Sequence, residues 1–378
     1  MALRAGAVLV IATTVPYQFI DNRVVIACRV DGRGPYSFVL DTGANATVIT
    51  PELARALGLR TKAAGQTTGA GNGSQAISST SLATLAIGSF SFAALQATVL
   101  DLREIKDNIG FNHFDGVIGY PVLAKFETKI DADRHTVTFS RVPLAVPKTA
   151  KRIAFTLDGG TLVHIPATID GIAGSVVLDT GDRSSLTLFG PFAHRNHFYD
   201  KYPGLPHALT GFGIGGPIYG DVFRLPSFNV LGANLTGIVT RASRQTGGVF
   251  ASGPEAGSIG GGVLRRFDIV YDYPDRVLQV WPSAAARARD PYDRSGMWLS
   301  RENGSVVVRF VAAGGPAAAS GVSAGSTVVS MNGRPIGTAG IPVARAFLAT
   351  APTGTRVRLA LNDRGKAETR TLELRDLL

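Results

Sequence analysis

The chain has 378 residues, of which 45% are hydrophobic and only 17% are charged, and it contains 45 glycines and 20 prolines. This length predicts two or three domains, and the many turn-forming residues favour strands over long helices. The formal charge of +10 is spread along the chain in short basic groups without interleaved aromatics, which argues against a nucleic-acid partner, and no apolar run is long enough to span a bilayer.

The N-terminus has two interpretations. Residues 1–4 followed by the apolar run 5–12 have the order of a short signal peptide, with a cleavage site at Val10-Ile11-Ala12, and this would place the protein in the periplasm or outside the cell. Alternatively, residues 8–11 form the first strand of the fold or are the remnant of a longer leader. We therefore separate residues 1–15 from the first domain.

Two segments share one pattern, FVLDTGA at 38–44 and VVLDTGD at 176–182. Each is an apolar run typical of a buried strand that ends on an Asp, a hydroxyl residue and a Gly, whose backbone freedom suits a tight turn. A single Asp-Thr-Gly is most often an ordinary turn in which the Asp caps its own backbone. Two copies place Asp41 and Asp179 at equivalent strand ends.

The segments around the two motifs also recur. The stretch FDGVIGYPVLAKF at 114–126 is echoed by GSIGGGVLRRF at 257–267, and the offset between the halves is 138 residues at the motifs and 141 from Gly119 to Gly260. Only short insertions therefore separate the halves, and the chain contains an internal duplication.

With these motifs, residues 16–281 resemble the aspartic peptidases, specifically tandem single-chain relatives of the retropepsins. The resemblance implies an all-β fold of two β-barrel-like lobes, 16–145 and 146–282, whose loops meet so that Asp41 and Asp179 share one catalytic site. It also implies that the threonine hydroxyls tie the two loops together through main-chain hydrogen bonds. The implied supporting residues are Thr42, Gly43, Thr180 and Gly181.

The implied activity is that of an aspartic endopeptidase without metal or cofactor. Two adjacent carboxyl groups cannot both ionise cheaply, so they share a proton; one activates a water while the other polarises the peptide carbonyl. Asp182 departs from the pattern, since a third carboxylate pointing inward would repel the pair, and we expect it to point to solvent and lean on Arg183. The alternative is a catalytically silent, bilobal peptide-binding protein.

A glycine-rich hairpin tip follows each motif, at 65–74 and 210–217. No Lys-Ser/Thr pair follows, which argues against a phosphate-binding loop. In the resembled family such tips are flaps that close over the substrate, and glycine suits a tip that must move. The alternative is a pair of plain mobile hairpins. The candidate flap residues are Gly69, Gly71, Gly213 and Gly215.

The sulfur and imidazole side chains predict no further site. Cys28 is the single cysteine, so an intrachain disulfide is excluded, and its apolar surroundings predict a small buried side chain. His194, His197 and His207 lie near one another in sequence without a Cys or Glu at metal-ligand spacing, so we expect no metal. We also expect a monomer.

Residues 283–294 have the composition of a linker, and residues 295–378 resemble a bacterial PDZ domain through a Gly-Pro-Ala helix start and a strand followed by an Asn-Gly turn. The resemblance implies that the backbone N–H groups of one loop capture a peptide C-terminus while the peptide adds a strand to the sheet. Alternatively, the domain only packs against the lobes. The implied carboxylate loop consists of Gly296, Met297, Trp298 and Leu299.

Overall fold

The computed structural model describes residues 10–337 and 340–378. Strands make up 49% of the protein and helices 14%, which confirms the predicted all-β class. The first strand begins at Ala12 and pairs along 12–16 with 136–140, so the fold already includes residues before the boundary placed at 16. Residues 1–9, which carry most of the suggested leader and the start of the alternative strand at 8–11, lie outside the described residues.

The first lobe contains three short helices, α1 (Pro51–Leu57), α2 (Arg103–Ile109) and α3 (Tyr120–Leu123). Thr50 caps α1 by accepting the N–H of Leu53, and Gly58 ends it in the left-handed region at φ 70°. The strands are β1 (Ala12–Ile20), β2 (Arg23–Val30), β3 (Arg33–Leu40), β4 (Val48–Ile49), β5 (Lys62–Thr68), β6 (Ser74–Ile87), β7 (Phe90–Val99), β8 (Gly116–Ile118), β9 (Glu127–Asp131) and β10 (Thr136–Ser140).

The second lobe repeats this composition of strands and short helices. Its helices are α4 (Gly190–Arg195), α5 (Phe198–Lys201) and α6 (Gly261–Leu264), with a 3₁₀ turn at Val249–Ala251. Its strands are β11 (Lys151–Ala154), β12 (Thr156–Asp158), β13 (Leu162–Ile169), β14 (Ile172–Leu178), β15 (Leu186–Leu188), β16 (Gly204–Gly213), β17 (Gly216–Leu225), β18 (Phe228–Val230), β19 (Ala233–Leu235), β20 (Ile238–Ser243), β21 (Gly257–Ile259), β22 (Phe267–Asp272) and β23 (Val277–Pro282).

Both lobes build the same backbone arrangement around their motif. The strand that precedes each motif runs parallel to a three-residue strand, so that Leu40 on β3 pairs with Ile118 on β8, and Leu178 on β14 pairs with Ile259 on β21. The short strand that follows each motif, β4 or β15, pairs antiparallel with β8 or β21 and parallel with β7 or β20. The repeat in the sequence is therefore also a repeat in strand topology.

One sheet and one apolar core join the lobes. The larger sheet has the order β11-β23-β22-β9-β10-β1-β2-β3-β8-β4-β7-β6-β5, and β22 pairs with β9 across the lobe boundary. The second has the order β16-β17-β20-β15-β21-β14-β13-β18-β19. Leu40 and Leu178, which directly precede the two motifs, are fully buried in the same apolar cluster. The shared sheet and core hold the two motif loops in a fixed relation.

The C-terminal domain has its own apolar core, which includes Leu299, Val308 and Leu361. Its sheet has the order β24-β25-β26-β28-β29, with β27 beside β26, so β24 forms an edge. The elements are β24 (Met297–Glu302), β25 (Ser305–Val311), α7 (Pro316–Ala319), β26 (Thr327–Met331), β27 (Arg334–Pro335), α8 (Ile341–Thr350), β28 (Arg356–Asp363) and β29 (Lys366–Glu373). Among all described helices, none is long and apolar enough to cross a membrane.

Within the segment 283–294, residues 286–290 are fastened to the second lobe. Arg266 donates to the carbonyls of Ala286 and Ala288 at 3.2 and 2.7 Å, and the buried carboxylate of Asp290 accepts the N–H of Val239 at 2.8 Å. Composition alone indicates a linker here, whereas these hydrogen bonds make it a packed connection that fixes where the C-terminal domain begins.

Candidate active site

The two aspartates of the repeated motifs stand at equivalent points of the fold. The N–H of Asp41 donates to the carbonyl of Ile118 at 2.9 Å, and the N–H of Asp179 donates to that of Ile259 at 3.0 Å. One carboxylate oxygen of each accepts the N–H two residues later, from Gly43 at 2.8 Å and from Gly181 at 2.9 Å. Each turn thus aims its carboxyl group by the local hydrogen bond expected of an Asp-turn.

The two threonines join the loops. The hydroxyl of Thr42 donates to the carbonyl of Leu178 at 2.7 Å, and that of Thr180 donates to the carbonyl of Leu40 at 2.6 Å. Each hydroxyl also accepts the N–H of the other threonine, at 3.0 and 3.2 Å. These are the hydroxyl to main-chain hydrogen bonds that the resemblance implied, and they leave both buried hydroxyls fully satisfied.

The two carboxyl groups face each other across this junction. A Cβ placed on Gly43 would stand 2.6 Å from Cγ of Asp179, and a Cβ on Gly181 would collide with the carboxylate of Asp41. Each glycine is therefore needed because the aspartate of the other loop occupies the space of a side chain. The structure brings together the six motif residues that the sequence predicted.

Burial raises the pKa of both acids. Burial is the first cause for each; for Asp179, whose pKa is raised well above its usual value, the negative charge of Asp41 is the second. The two carboxyl groups are within hydrogen-bonding reach of each other. A pair in this state holds one proton between its members, and its titration belongs to the pair.

Asp182 does not point to solvent, and the expectation that it leans on Arg183 is wrong. Its side chain is buried and forms an ion pair with Arg241 at 2.8 Å, while Ser184 and Thr187 donate to the same carboxylate. Burial opposes its ionisation, yet the Arg241 charge and these hydrogen bonds hold the pKa of Asp182 below its usual value. The Asp182 carboxylate is therefore ionised, and the positive charge of Arg241 compensates its negative charge.

Arg241 is a site residue that sequence reasoning missed. It lies 59 residues after Asp182 on β20, in no motif, and its side chain is as buried as that of its partner. Parallel pairing of β15 with β20 sets Thr187 opposite Arg241 and so brings the guanidinium under the motif loop. A single charged residue within a strand that is otherwise uncharged is the signal that could have found it.

The two glycine-rich tips meet each other. The N–H of Gly71 donates to the carbonyl of Ile214, and that of Gly73 to the carbonyl of Gly215, both at 2.9 Å. A side chain on Gly71 would collide with the backbone of Gly215, and one on Gly213 would stand 2.8 Å from Cβ of Ala70. Gly69 likewise faces Ile214. The four candidate flap glycines therefore form one tip-to-tip contact.

This contact is anchored on two sides. Ile214 and Ala44, the residue after the first Asp-Thr-Gly, both pack on the apolar cluster that contains Val39. On the other side, the side-chain oxygen of Asn72 accepts the N–H groups of Thr246 and Gly247 at 3.0 and 3.1 Å. The structure therefore shows the hairpin tips closed on each other.

One family model matches part of the chain. Residues 26–122 match a family model described as aspartyl protease. The match includes Asp41 and Gly119 and ends before the second motif.

Two solved structures show similarity to the chain. An aspartic proteinase from Irpex lacteus has 14% sequence identity and a TM-score of 0.48, and the similarity covers 74% of this chain and 99% of that one. A retropepsin-like aspartic protease from Rickettsia conorii has 19% identity and a TM-score of 0.26, and the similarity covers 35% of this chain and 90% of that one. No curated protein matches the chain.

The implied carboxylate loop of the C-terminal domain differs from the expectation. The N–H groups of Ser295 and Gly296 donate to the carboxylate of Asp293 at 3.1 and 2.6 Å, and that of Met297 donates to the Ser295 hydroxyl at 3.2 Å. Burial raises the pKa of Asp293 to about 6. Trp298 and Leu299 belong to β24. A carboxylate of the chain itself thus occupies donors that the sequence suggested were free.

The same domain is docked on the first lobe. The hydroxyl of Ser300 on β24 hydrogen-bonds the side chain of Asn108 on α2, and Arg301 pairs with Asp107 at 3.7 Å. A Cβ on Gly110 would stand 2.7 Å from Cβ of Ile341, at the start of α8. Packing against the lobes, one of the two alternatives for this domain, is therefore present in the structure.

One group of described side chains has the composition of a metal site. Asp158, His164 and Glu255 place their donor atoms within 4.8 Å of one another, with His164 Nδ1 at 3.9 Å from Glu255 Oε1. The three residues belong to none of the motifs, and the chemistry of the paired aspartates does not require them. His194, His197 and His207 are not part of the group.

Proposed function

We propose that the protein is an aspartic endopeptidase that hydrolyses peptide bonds of a peptide or protein substrate with Asp41 and Asp179. The observation that carries the proposal is the pair of Asp-Thr-Gly loops joined through their threonine hydroxyls, with the two carboxyl groups facing each other. An ordinary Asp-turn needs no such partner, whereas general acid and base catalysis needs both groups at one point.

The chemistry follows from the shared proton. The ionised member of the pair accepts a proton from a bound water, which attacks the peptide carbonyl, while the protonated member donates a hydrogen bond to the carbonyl oxygen. The proton taken from the water then passes to the amide nitrogen, the C–N bond breaks, and the amine leaves. Because the pKa of Asp179 is raised well above its usual value, the pair keeps a proton at a pH at which an ordinary carboxyl group would be ionised. Because Asp182 is paired with Arg241, its charge is compensated beside the working pair.

The hairpin tips serve as flaps in this proposal. Their closed contact consists of two backbone hydrogen bonds and close glycine packing between Gly71 and Gly215, and it must open for a substrate to enter. Glycines permit both the contact and the movement, since a side chain at either position would collide with the opposite tip.

The test is digestion of a peptide library by the purified protein between acidic and neutral pH, with cleavage products identified by mass spectrometry. We expect cleavage within peptides by the wild type and none by Asp41→Asn. If the wild type cleaves nothing but still protects library peptides from an added protease, the silent peptide-binding alternative is correct.

We further propose that the C-terminal domain binds peptide C-termini along β24, in the manner of a PDZ domain. Supporting observations are the edge position of β24 and its contact with α8, which together form a strand-and-helix border. Binding there requires that α2 move away from β24 and that the peptide carboxylate replace Asp293. In the full chain, a fluorescent peptide with a free carboxylate should bind more tightly than its amidated twin; equal binding would contradict this role.

A further inference from the structure

We propose that the C-terminal domain is part of the active-site framework and that Arg345 on α8 is a positioning residue for the loop that carries Asp179. It acts through the buried carboxylate of Asp21 and the indole ring of Trp298. The expected fall in kcat on loss of Arg345 rests on the proposed peptidase function. The expected loosening of residues 180–183 does not.

Asp21 is the centre of this arrangement. It lies in the turn between β1 and β2, and its side chain is only 6% exposed. Arg23 donates to one carboxylate oxygen at 2.7 Å, Arg183 donates to both at 2.9 and 3.0 Å, and Arg345 lies 3.9 Å away. One buried carboxylate thus receives a cation from each lobe and one from the C-terminal domain.

The arrangement is attached directly to the second motif loop. Arg23 also donates to the carbonyl of Gly181 at 2.7 Å, and the side-chain amide of Asn22 donates to the carbonyl of Arg183 at 2.7 Å. In the described part of the chain, no side chain donates to the carbonyl of Gly43, the equivalent position of the first loop. The loop of Asp179 therefore depends on the turn around Asp21, and the loop of Asp41 has no counterpart of this support.

Trp298 sets the orientation of the two outer guanidinium groups. Arg345 lies 4.1 Å and Arg183 5.0 Å from the centre of its ring, and Arg345 also donates to the carbonyl of Leu299. The Trp298 ring is 6.1 Å from Phe212, beside the tip of the second hairpin. Planar guanidinium groups stack on aromatic faces in a way that an ammonium group cannot reproduce, so the ring selects arginine at these positions.

The consequence of losing Arg345 follows from these contacts. Arginine stays charged in proteins, so removing it takes one cation from Asp21 and uncovers one face of Trp298. Arg183 stacks on the same ring and binds the same carboxylate, so it can shift once Arg345 is lost. The carbonyl groups of Gly181 and Arg183, which Arg23 and Asn22 hold, shift with it. The geometry of residues 180–183 loosens, although none of them is substituted.

The experiment measures amide hydrogen exchange across residues 180–183 in the full chain for the wild type and for Arg345→Gln. These amides are suitable probes because the N–H groups of Thr180, Gly181 and Asp182 are hydrogen-bonded across or within the loops. We expect exchange about tenfold faster in Arg345→Gln, as for the loss of a charge-assisted contact. Arg358→Gln, which changes an exposed arginine of the same domain, should leave these amides unchanged.

Kinetics on a cleaved peptide provide the second readout. In Arg345→Gln we expect kcat to fall about tenfold with KM unchanged, because the loop and not the peptide site is affected. Arg345→Lys keeps the charge but not the stacking, so partial recovery assigns the effect to charge and no recovery assigns it to the stacked geometry.

Unchanged exchange at 180–183 in Arg345→Gln, with β28 and β29 still protected, would overturn the inference. An equal rise in exchange in both lobes and the C-terminal domain of both Arg345 variants would also overturn the inference, because it would show general destabilisation. If the wild type hydrolyses no peptide but exchange at 180–183 responds as expected, the peptidase proposal fails and the positioning role stands.

Discussion

The two lobes hold their aspartates alike and surround them differently. In each lobe the strand after the motif pairs with a parallel neighbour. Val48 lies opposite Thr98 in the first lobe, and Thr187 lies opposite Arg241 at the equivalent place in the second. The residue after Asp-Thr-Gly is Ala44 in one lobe and Asp182 in the other. Uncharged side chains in the first lobe correspond to a buried ion pair in the second.

This difference reaches the paired aspartates themselves. Asp179 accepts a second N–H, from Asp182 at 3.0 Å, whereas the N–H of Ala44 is 3.4 Å from the main-chain oxygen of Asp41. The negative charge of Asp182 also raises the pKa of both members of the pair, after burial and closer groups. A duplicated fold can therefore carry an asymmetric site, because each copy supplies its own surroundings to a common backbone turn.

The strongest test of the comparison is whether both aspartates are needed. Asp41→Asn and Asp179→Asn should each lower kcat/KM on the order of a thousandfold or more, and the double variant should lose little beyond either, because the pair acts as a unit. Asn keeps the shape of Asp but cannot ionise. If one variant keeps a rate near that of the wild type, the lobes are not equivalent and the shared-proton mechanism is wrong.

The second test breaks the ion pair that distinguishes the lobes. Arg241→Thr, which introduces the residue of the first lobe, should lower the free energy of unfolding by about 3–5 kcal/mol, because it leaves the buried Asp182 charge unpaired. Asp182→Ala combined with Arg241→Thr should recover most of this loss, as measured by urea denaturation. Strictly additive losses would show that the two side chains are not coupled.

Asp182→Ala alone serves as the activity control for this pair. We expect hydrolysis to persist, with the acid limb of the pH profile moved to lower pH, because one negative charge beside Asp41 and Asp179 is removed and their pKa values fall. If the wild type cleaves nothing and this variant does, Asp182 silences the pair.

A third test concerns the shared feature, the threonine junction. Thr42→Val and Thr180→Val should each lower the free energy of unfolding by about 1–3 kcal/mol, because each leaves a buried main-chain carbonyl and an N–H without a partner. The two losses should be similar, since the hydrogen-bond lengths are nearly the same in both directions. Thermal unfolding of both variants, with Thr68→Val at an exposed position as control, measures this symmetry.

The smallest effect we expect is a pH-dependent stabilisation in Asp179→Asn. The folded-state pKa of Asp179 is raised, so the folded protein loses stability as pH rises from the usual carboxyl range through the raised pKa. Asn at position 179 cannot ionise, so the variant does not lose this stability as the pH rises. The Tm of the variant should therefore equal that of the wild type at low pH, where the acid is protonated in both states, and exceed it by a few degrees near neutral pH.

Much of the fold and the core of the site could be predicted from the sequence alone. The all-β class follows from composition, and the paired loops follow from two copies of one motif in a matched repeat. These features are local in the chain: an apolar strand, an Asp, a hydroxyl residue and a Gly determine a turn with an outward carboxyl group wherever that strand is buried.

Only the tertiary structure decided which charges meet. The partner of Asp182 is Arg241, 59 residues away, because the register of two parallel strands sets it there, and the neighbouring Arg183 turns to Asp21 instead. Likewise, Asp293 occupies the N–H groups of Ser295 and Gly296. A buried charge takes the nearest partner in space, and distance in space depends on strand register and domain docking, which no short stretch of sequence records.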